Sequence, residues 1–568
     1  MTYSFQFYEK DITTSWISDT LENELGHWKP KDVVFINSPT GSGKNTFIKD
    51  KLLPFAKQKN KKVLILSNRS ALELQQKEEI YSFIQGDGFS KKYVEIAPVQ
   101  LEEKYLFDNA IICSYQHFLF LLRLIVQQGL IQEIGYIVLD EAHFFIADSR
   151  FNSHTEVILD TILSYFFRTT TRIYMSATGT KINALIKEKE ECFLNSIPLY
   201  QSVPLSQSKI PTFHFYHQKT DYSYCNFHFF ERWQILANEI KKSPLDDKWL
   251  IFIRDKEYRS EIEKILKPII PSNQILYIDA ESKDSPVFRY IVKNKKFEGK
   301  VLVATSALDN GIGLHDPRLK HIVISTFDQE SAIQMLGRKR RGANEKLNVY
   351  FRVPTAKEVK SAYDQTTQLL SVINVYKKDP QLFLNNFWGK LSPPMQKLFS
   401  LVPNEMLTKM SPTEFQRSNG YWLVLNNFAR VKLSFDKELF GEFNHLFETT
   451  SENGFEKKVL SWFFGEEDVF SPNMLLKMDE NEVKERIRSY IENLLEQELD
   501  KSQVEIHFKA IFEAYGELEG KREKSYSNSF KQDLNICLKD LSLPFSFTKL
   551  KRPRNEERWQ FIELPDAI

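Results

Sequence analysis

Short apolar runs alternate with amphipathic stretches through the first half of the chain. Runs at 33–37, 63–67, 110–113, 136–139 and 172–176 are nearly continuous in apolar residues and bounded by polar or turn residues. Stretches at 45–58 and 70–83 carry the three-to-four-residue apolar spacing of helices. Continuous rather than alternating strands, separated by helices, predict a parallel sheet covered on both faces. The pattern breaks across Pro198, Pro204 and Pro211. It then resumes with runs at 249–253, 275–278, 301–304, 321–325 and 347–351. A second α/β unit of similar size is expected, with a linker near residue 205.

After about residue 356 long amphipathic helices take over, such as 480–499 and 504–515. The chain closes with two helical stretches, then runs at 545–549 and 558–563 around the basic turn KLKRPRNEER. That order fits a winged-helix-like module, and equally a plain β-hairpin closing a helical domain. The expected organisation is a lead-in at 1–30, α/β units at 31–205 and 206–355, and a mainly helical accessory domain at 356–568.

Composition narrows the class. At 568 residues the chain is too long for one ordinary core. Hydrophobic residues at 42% and aromatics at 13% fill real cores and exclude disorder as the default. Mean hydropathy is −0.38. No apolar run reaches the roughly 20 residues a spanning helix needs, so no membrane role is expected. The first residues lack the apolar core of a signal peptide. Cys113, Cys192, Cys225 and Cys537 lie far apart without CxxC spacing. Neither a zinc site nor a disulfide framework is indicated, and a cytoplasmic location is expected. A net charge of +1 excludes a globally basic polyanion binder. Nucleic acid would have to be held in a local groove.

Two motifs carry chemistry. SPTGSGKNTF at 38–47 follows an apolar run and opens a helical pattern. Gly41 and Gly43 let backbone N–H groups curl around a phosphate, with Thr40, Ser42 and Thr46 beside them. The helix N-terminus attracts the anion, and Lys44 supplies a point charge for the β and γ phosphates. Asn45 stands where the motif has Ser or Thr as a Mg²⁺ ligand, and its amide oxygen can serve a hard cation. VLDEAHFF at 138–145 puts charge directly after a buried run. At the carboxyl edge of a parallel sheet, Asp140 would hold Mg²⁺ and Glu141 would deprotonate an attacking water. Alone, the string reads as a solvated strand end. Its place in the same α/β unit as Lys44 favours a nucleotide site using ATP and Mg²⁺.

With these residues in hand the chain resembles the superfamily 2 helicases of the DExH/DEAH type, bacterial or mobile-element in kind. YMSAT at 174–178 is similar to the motif that links hydrolysis to nucleic-acid contact. LSNRSAL at 66–72, CSYQHF at 113–118, WLIFIRDKEYR at 249–259, VLVATSALDNGIGL at 301–314 and QMLGRKRR at 334–341 follow in the family's order. The resemblance implies two tandem RecA-like P-loop domains with ATP in the cleft between them. It implies Gln334 near the γ phosphate and Arg338 and Arg341 as arginine fingers, three residues apart and so on one face if helical. A basic surface helix is the other reading of that stretch. His143, Ser176 and Thr178 would couple the cleft to the track, and Arg69, Gln116 and Thr305 would touch nucleic acid. After Gly311 come Ile312 and Gly313, where many relatives carry an acidic residue near the ribose. The implied activity is ATP-dependent translocation along single-stranded nucleic acid, DNA in preference to RNA. The alternative is a nucleic-acid-stimulated ATPase that remodels protein–DNA complexes, or a motor subunit that does not unwind. The C-terminal domain would supply substrate choice, a protein-partner surface or duplex separation.

Overall fold

A computed structural model describes residues 4–68, 106–196, 210–254, 257–279, 282, 285–305, 312–340, 342, 345–403, 415–418, 421–449, 453–465, 475–476, 480–516, 529–550 and 557–564. The first domain is built on an eight-stranded sheet. Its order is Gln6–Asp11, Thr212–His217, Val33–Asn37, Thr171–Ser176, Ile134–Leu139, Lys62–Ser67, Ala110–Ser114 and Leu106–Phe107. Only the last pair is antiparallel. The central strands are buried along their length, because helices cover both faces.

Two strands of this sheet lie outside the span 31–205 expected from sequence. Gln6–Asp11 is mostly exposed, and its polar residues suit an edge position. It pairs with Thr212–His217, which pairs in turn with Val33–Asn37. The lead-in and the segment after the proline-rich stretch therefore complete the first sheet.

The second domain holds a seven-stranded sheet in the order Ile275–Ile278, Val301–Ala304, Lys248–Phe252, Leu319–Ile324, Leu347–Arg352, Cys225–Phe230 and Leu475–Leu476. Every pairing in it is parallel. The fold is thus two tandem parallel-sheet domains, as the sequence predicts. The helix expected at 70–83 lies outside the described residues.

The C-terminal region is mainly helical but not detached. Phe428 belongs to the first domain's core. Phe440, Phe443, Phe455 and Phe463 belong to the second domain's core. A three-stranded antiparallel sheet of Phe399–Pro403, Tyr421–Leu425 and Phe415–Ser418 adds a small core of its own with Ile373, Tyr376 and Phe383. The helix expected at 480–499 ends at Glu492. Beyond it, Leu495 and Leu499 bridge to Phe561 and Trp559 of the closing hairpin. Helices Lys501–Gly516 and Phe530–Asp540 follow, and the antiparallel pair Phe545–Lys549 and Trp559–Glu563 closes the region.

Candidate nucleotide site

Buried strand Val33–Asn37 delivers the chain to Ser38 at the carboxyl edge of the first sheet. Gly41 and Gly43 have φ of 89° and 86°, the left-handed region that favours glycine. A Cβ at Gly43 would lie 2.8 Å from the Trp16 ring, so this glycine also admits a close neighbour. The helix then runs without a break from Lys44 to Gln58, with a π turn over Ile48–Leu52. Ser38 and Ser42 hydroxyls are 2.9 Å apart across the loop. Lys44 is buried, and its Nζ donates to the carbonyls of Ser38 and Pro39 at 3.0 and 3.1 Å. Burial pushes its pKa down, Glu141 and Asp140 raise it, and Arg340 and Arg338 push it down again; the net shift is downward.

The carboxylate pair sits on the turn after Ile134–Leu139. Its backbone is tied on both sides: Asp140 N donates to Leu66 O at 2.9 Å, and Ala142 N to Met175 O at 2.8 Å. These ties hold Glu141 at a φ of 53°, a conformation a glutamate adopts only when its surroundings enforce it. Glu141 Oε2 and His143 Nδ1 are 3.4 Å apart, and both side chains are buried. Burial raises the Glu141 pKa, but Lys44, then His143, Arg338 and Arg340, more than reverse it, so the carboxyl is held below its usual range. Burial lowers the His143 pKa further than Glu141 and Asp148 raise it, so the net shift is downward.

Ser176 and Thr178 lie one strand away. Ser38 N donates to Ser176 O at 2.9 Å, and Thr178 N to Ser176 Oγ at 3.1 Å. Asn37 Oδ1 accepts from Gly179 N at 3.0 Å. The SAT segment is therefore fastened to the strand that feeds the phosphate loop.

The second domain closes the site. Asp328 caps helix Gln329–Leu336 by accepting from Ser331 N. Gln334 is buried near its end, and its Nε2 has no partner among the described residues. The helical premise for the arginines fails here. The helix stops at Leu336, and Leu314 pairs with the extended stretch that follows: Leu314 N to Arg338 O at 2.7 Å, and Arg340 N to Leu314 O at 2.8 Å. In extended chain the same-side spacing is two, not three. Arg338 and Arg340 both act on Lys44 and Glu141. Arg341 lies outside the described residues. Arg338 is fully buried, with Nε on Gln334 O at 2.9 Å and Nη2 on Gln334 Oε1 at 3.0 Å. Arg340 crosses to the phosphate loop. A Cβ on Gly41 would lie 2.9 Å from its Nη1, and one on Gly313 would lie 2.5 Å from its Nε. Gly313 thus gives Arg340 its seat, which accounts for the glycine in place of an acidic residue.

These pieces line one cavity of about 700 Å³. The phosphate loop contributes Thr40, Gly41, Gly43, Lys44, Asn45 and Thr46, and the carboxylate turn Asp140 and Glu141. Arg338 and Arg340 enter from the opposite side. Sequence reasoning missed Arg340, Trp16, Tyr224 and His315, which also line it. The alternation in RKR was the signal for Arg340, and the others had none. Ser42, Gln334, His143, Ser176 and Thr178 stand behind the wall. Asp140 and Asn45 both offer hard oxygen donors to this lining, a set that suits Mg²⁺, which takes one or two protein oxygens and completes its shell with phosphate and water.

A family model described as DEAD/DEAH box helicase matches residues 18–185. This part of the chain is similar to that family. It contains the phosphate loop, the carboxylate turn and the SAT segment. No curated protein matches the chain. Among solved structures, the fold is similar to Mss116 bound to ssRNA and UDP-BeF, at 12% identity over 94% of this chain and 98% of that one, TM-score 0.44. It is similar to Mycobacterium smegmatis Lhr bound to ssDNA and AMP-PNP, at 14% identity over 65% and 49%, TM-score 0.41. S. cerevisiae Dbp5 bound to RNA and ADP BeF3 is 15% identical over 57% and 79%, TM-score 0.40.

The residues expected to touch nucleic acid lie away from the cavity. Gln116 is exposed in the first turn of helix Tyr115–Gln127 of the first domain. Thr305 follows strand Val301–Ala304 of the second domain and donates its N–H to Ile278 O at 3.0 Å. Both stand at carboxyl ends of parallel strands. Arg69 lies outside the described residues. No helix among the described residues is long and apolar enough to cross a membrane.

Proposed function

We propose that this chain hydrolyses ATP in the cleft between its two domains and uses the cycle to move along single-stranded nucleic acid, DNA in preference to RNA. One observation carries the reading: Lys44, Asp140, Glu141, Arg338 and Arg340 line the same cavity from two domains. Phosphoryl transfer asks little of a protein beyond positioning and charge compensation, and this set supplies both.

Loop amides and Lys44 hold the phosphates. Glu141, kept ionised by its cationic neighbours, takes the proton of the attacking water. Arg340 reaches across to the loop and offsets charge growing on the γ phosphate, while Arg338 is held rigid against Gln334. Mg²⁺, held by Asp140 and Asn45, would neutralise phosphate charge when bound. Because half the charge comes from each domain, ATP favours the closed cleft, and hydrolysis removes that preference. Gln116 and Thr305, one on each domain, then alternate their hold on the track.

The test is ATP turnover measured with single-stranded DNA, duplex DNA and RNA, beside a strand-displacement assay. Lys44→Ala should abolish turnover. Wild-type turnover in that variant would overturn the site. Stimulated turnover without displacement would move the reading to a remodelling ATPase or motor subunit.

A further inference from the structure

Helix Asn427–Glu448 straddles both domains. Its first turn is docked on the first domain: Asn426 Nδ2 donates to Thr155 Oγ1 at 2.9 Å, and Asn427 N to Glu156 Oε2 at 2.6 Å. Its later turns sit on the second domain, where Phe440 meets Phe327 edge-on at 5.6 Å. Between the two anchors lies a chain of charges. Arg150 Nη1 is 3.2 Å from Asp436 Oδ2, and Asp436 Oδ1 is 2.6 Å from Lys432 Nζ. Lys432 Nζ is 3.2 Å from Asp328 Oδ1. Asp328 Oδ2 in turn accepts from Ser331 N and Oγ at 2.9 and 2.8 Å.

Both ends of this relay lie on segments that lead to the cleft. Arg150 follows the one-turn helix Phe144–Ala147, whose N-cap is His143 of the carboxylate turn. Asp328 caps the helix that carries Gln334 and leads to Arg338 and Arg340. Two cations and two anions balance, and the middle pair is nearly dry: the Lys432 side chain is 13% exposed and that of Asp436 6%. In such surroundings loss of one partner leaves an uncompensated charge, so the relay is either whole or broken. Burial raises the Asp328 pKa, but Lys432 and Ser331 bring it down to about 2, so its carboxylate is charged throughout the working range.

Taking the proposed ATP turnover as its basis, we propose that Lys432 is a positioning residue, tying the Arg338–Arg340 side of the cleft to the Glu141 side through Asp328, Asp436 and Arg150. It touches no reacting atom. It sets how often the two halves of the site are in register, and should therefore act on turnover more than on ATP binding, which the phosphate loop largely provides.

The test uses the full chain carrying one fluorophore on each domain. Lys432→Met keeps the stem and loses the charge. Asp328→Asn keeps an N-cap for Ser331 while weakening the ion pair, and serves if the first variant folds poorly. Both should broaden the interdomain distance distribution and lower kcat by about tenfold with KM for ATP within about twofold. Lys432→Arg should restore much of both. An unchanged distance distribution in both variants, or a KM effect alone, overturns the proposal. If wild-type chain hydrolyses no ATP yet the distances broaden, the relay stands and the ATPase reading falls.

Discussion

Gly337 and Thr40 meet across the cleft with no room between them: a Cβ on Gly337 would lie 2.0 Å from the Thr40 hydroxyl oxygen. The first residue belongs to the second domain and the other to the phosphate loop, so closure of the site is limited by the absence of a side chain at 337.

Gly337→Ala should hold the cleft open. The expected outcome is a fall in kcat/KM for ATP of about tenfold or more, which is ~1.4 kcal/mol of lost transition-state stabilisation. Adding Thr40→Ala removes the opposing atoms and should recover part of it. Steady-state ATPase of the single and double variants checks this; no loss in the single variant refutes the closure limit.

Arg338 and Arg340 should separate. Arg340→Ala should leave ATP binding near wild type and lower kcat by up to ~10³. Gly313→Asp drives a side chain into the Arg340 stem and should reproduce that loss. Arg338→Ala strips two hydrogen bonds from buried Gln334, so it should also lower folding stability by about 1–3 kcal/mol. Nucleotide-binding titrations, turnover and chemical denaturation together distinguish the three variants.

Asn45 predicts a distinct metal requirement. Asn45→Thr places a hydroxyl where other phosphate loops carry one, and should lower the Mg²⁺ concentration for half-maximal turnover several-fold. Chelation should stop turnover in both proteins. Equal Mg²⁺ titration curves would show that Asn45 takes no part in metal binding.

Asp160 gives stability a pH slope. Burial, with Glu156 adding to it against the pull of Lys189, raises its carboxyl from 3.8 to about 6. The folded state thus holds a proton that the unfolded chain has released, and this contribution is present below about pH 4 and lost as pH rises through about 6. Asp160→Asn should flatten the change in denaturation midpoint across that window and raise stability at pH 7. An unaltered slope in the variant would rule the assignment out.

Much of the site is legible in the sequence. Val33–Asn37, Ile134–Leu139 and Thr171–Ser176 are almost wholly buried, so each carries a mainly apolar run, and the motifs hang from their ends. Gln6–Asp11 escaped because an edge strand facing water carries no apolar run. Arg340 escaped because its role depends on the helix stopping at Leu336, and that stop is set by pairing with Leu314, far away in sequence. Helical spacing pairs Lys432 with Asp436, four residues on, but Arg150 and Asp328 are separated from them by long stretches of chain, and no local periodicity can bring those together.

Leu475–Leu476 pairs with Phe229 and Phe230 at the edge of the second sheet, and Phe463 lies 5.0 Å from Tyr222. The two-domain motor suggested by motif spacing is therefore not a severable cassette. A fragment cut after strand Leu347–Arg352 would bare the aromatic face around Phe227 and Phe351 together with an unpaired strand edge, a surface prone to self-association. Grafting or swapping the C-terminal region would change the second domain itself. Whatever task that region performs, it has been built into that domain's frame rather than bolted on beside it.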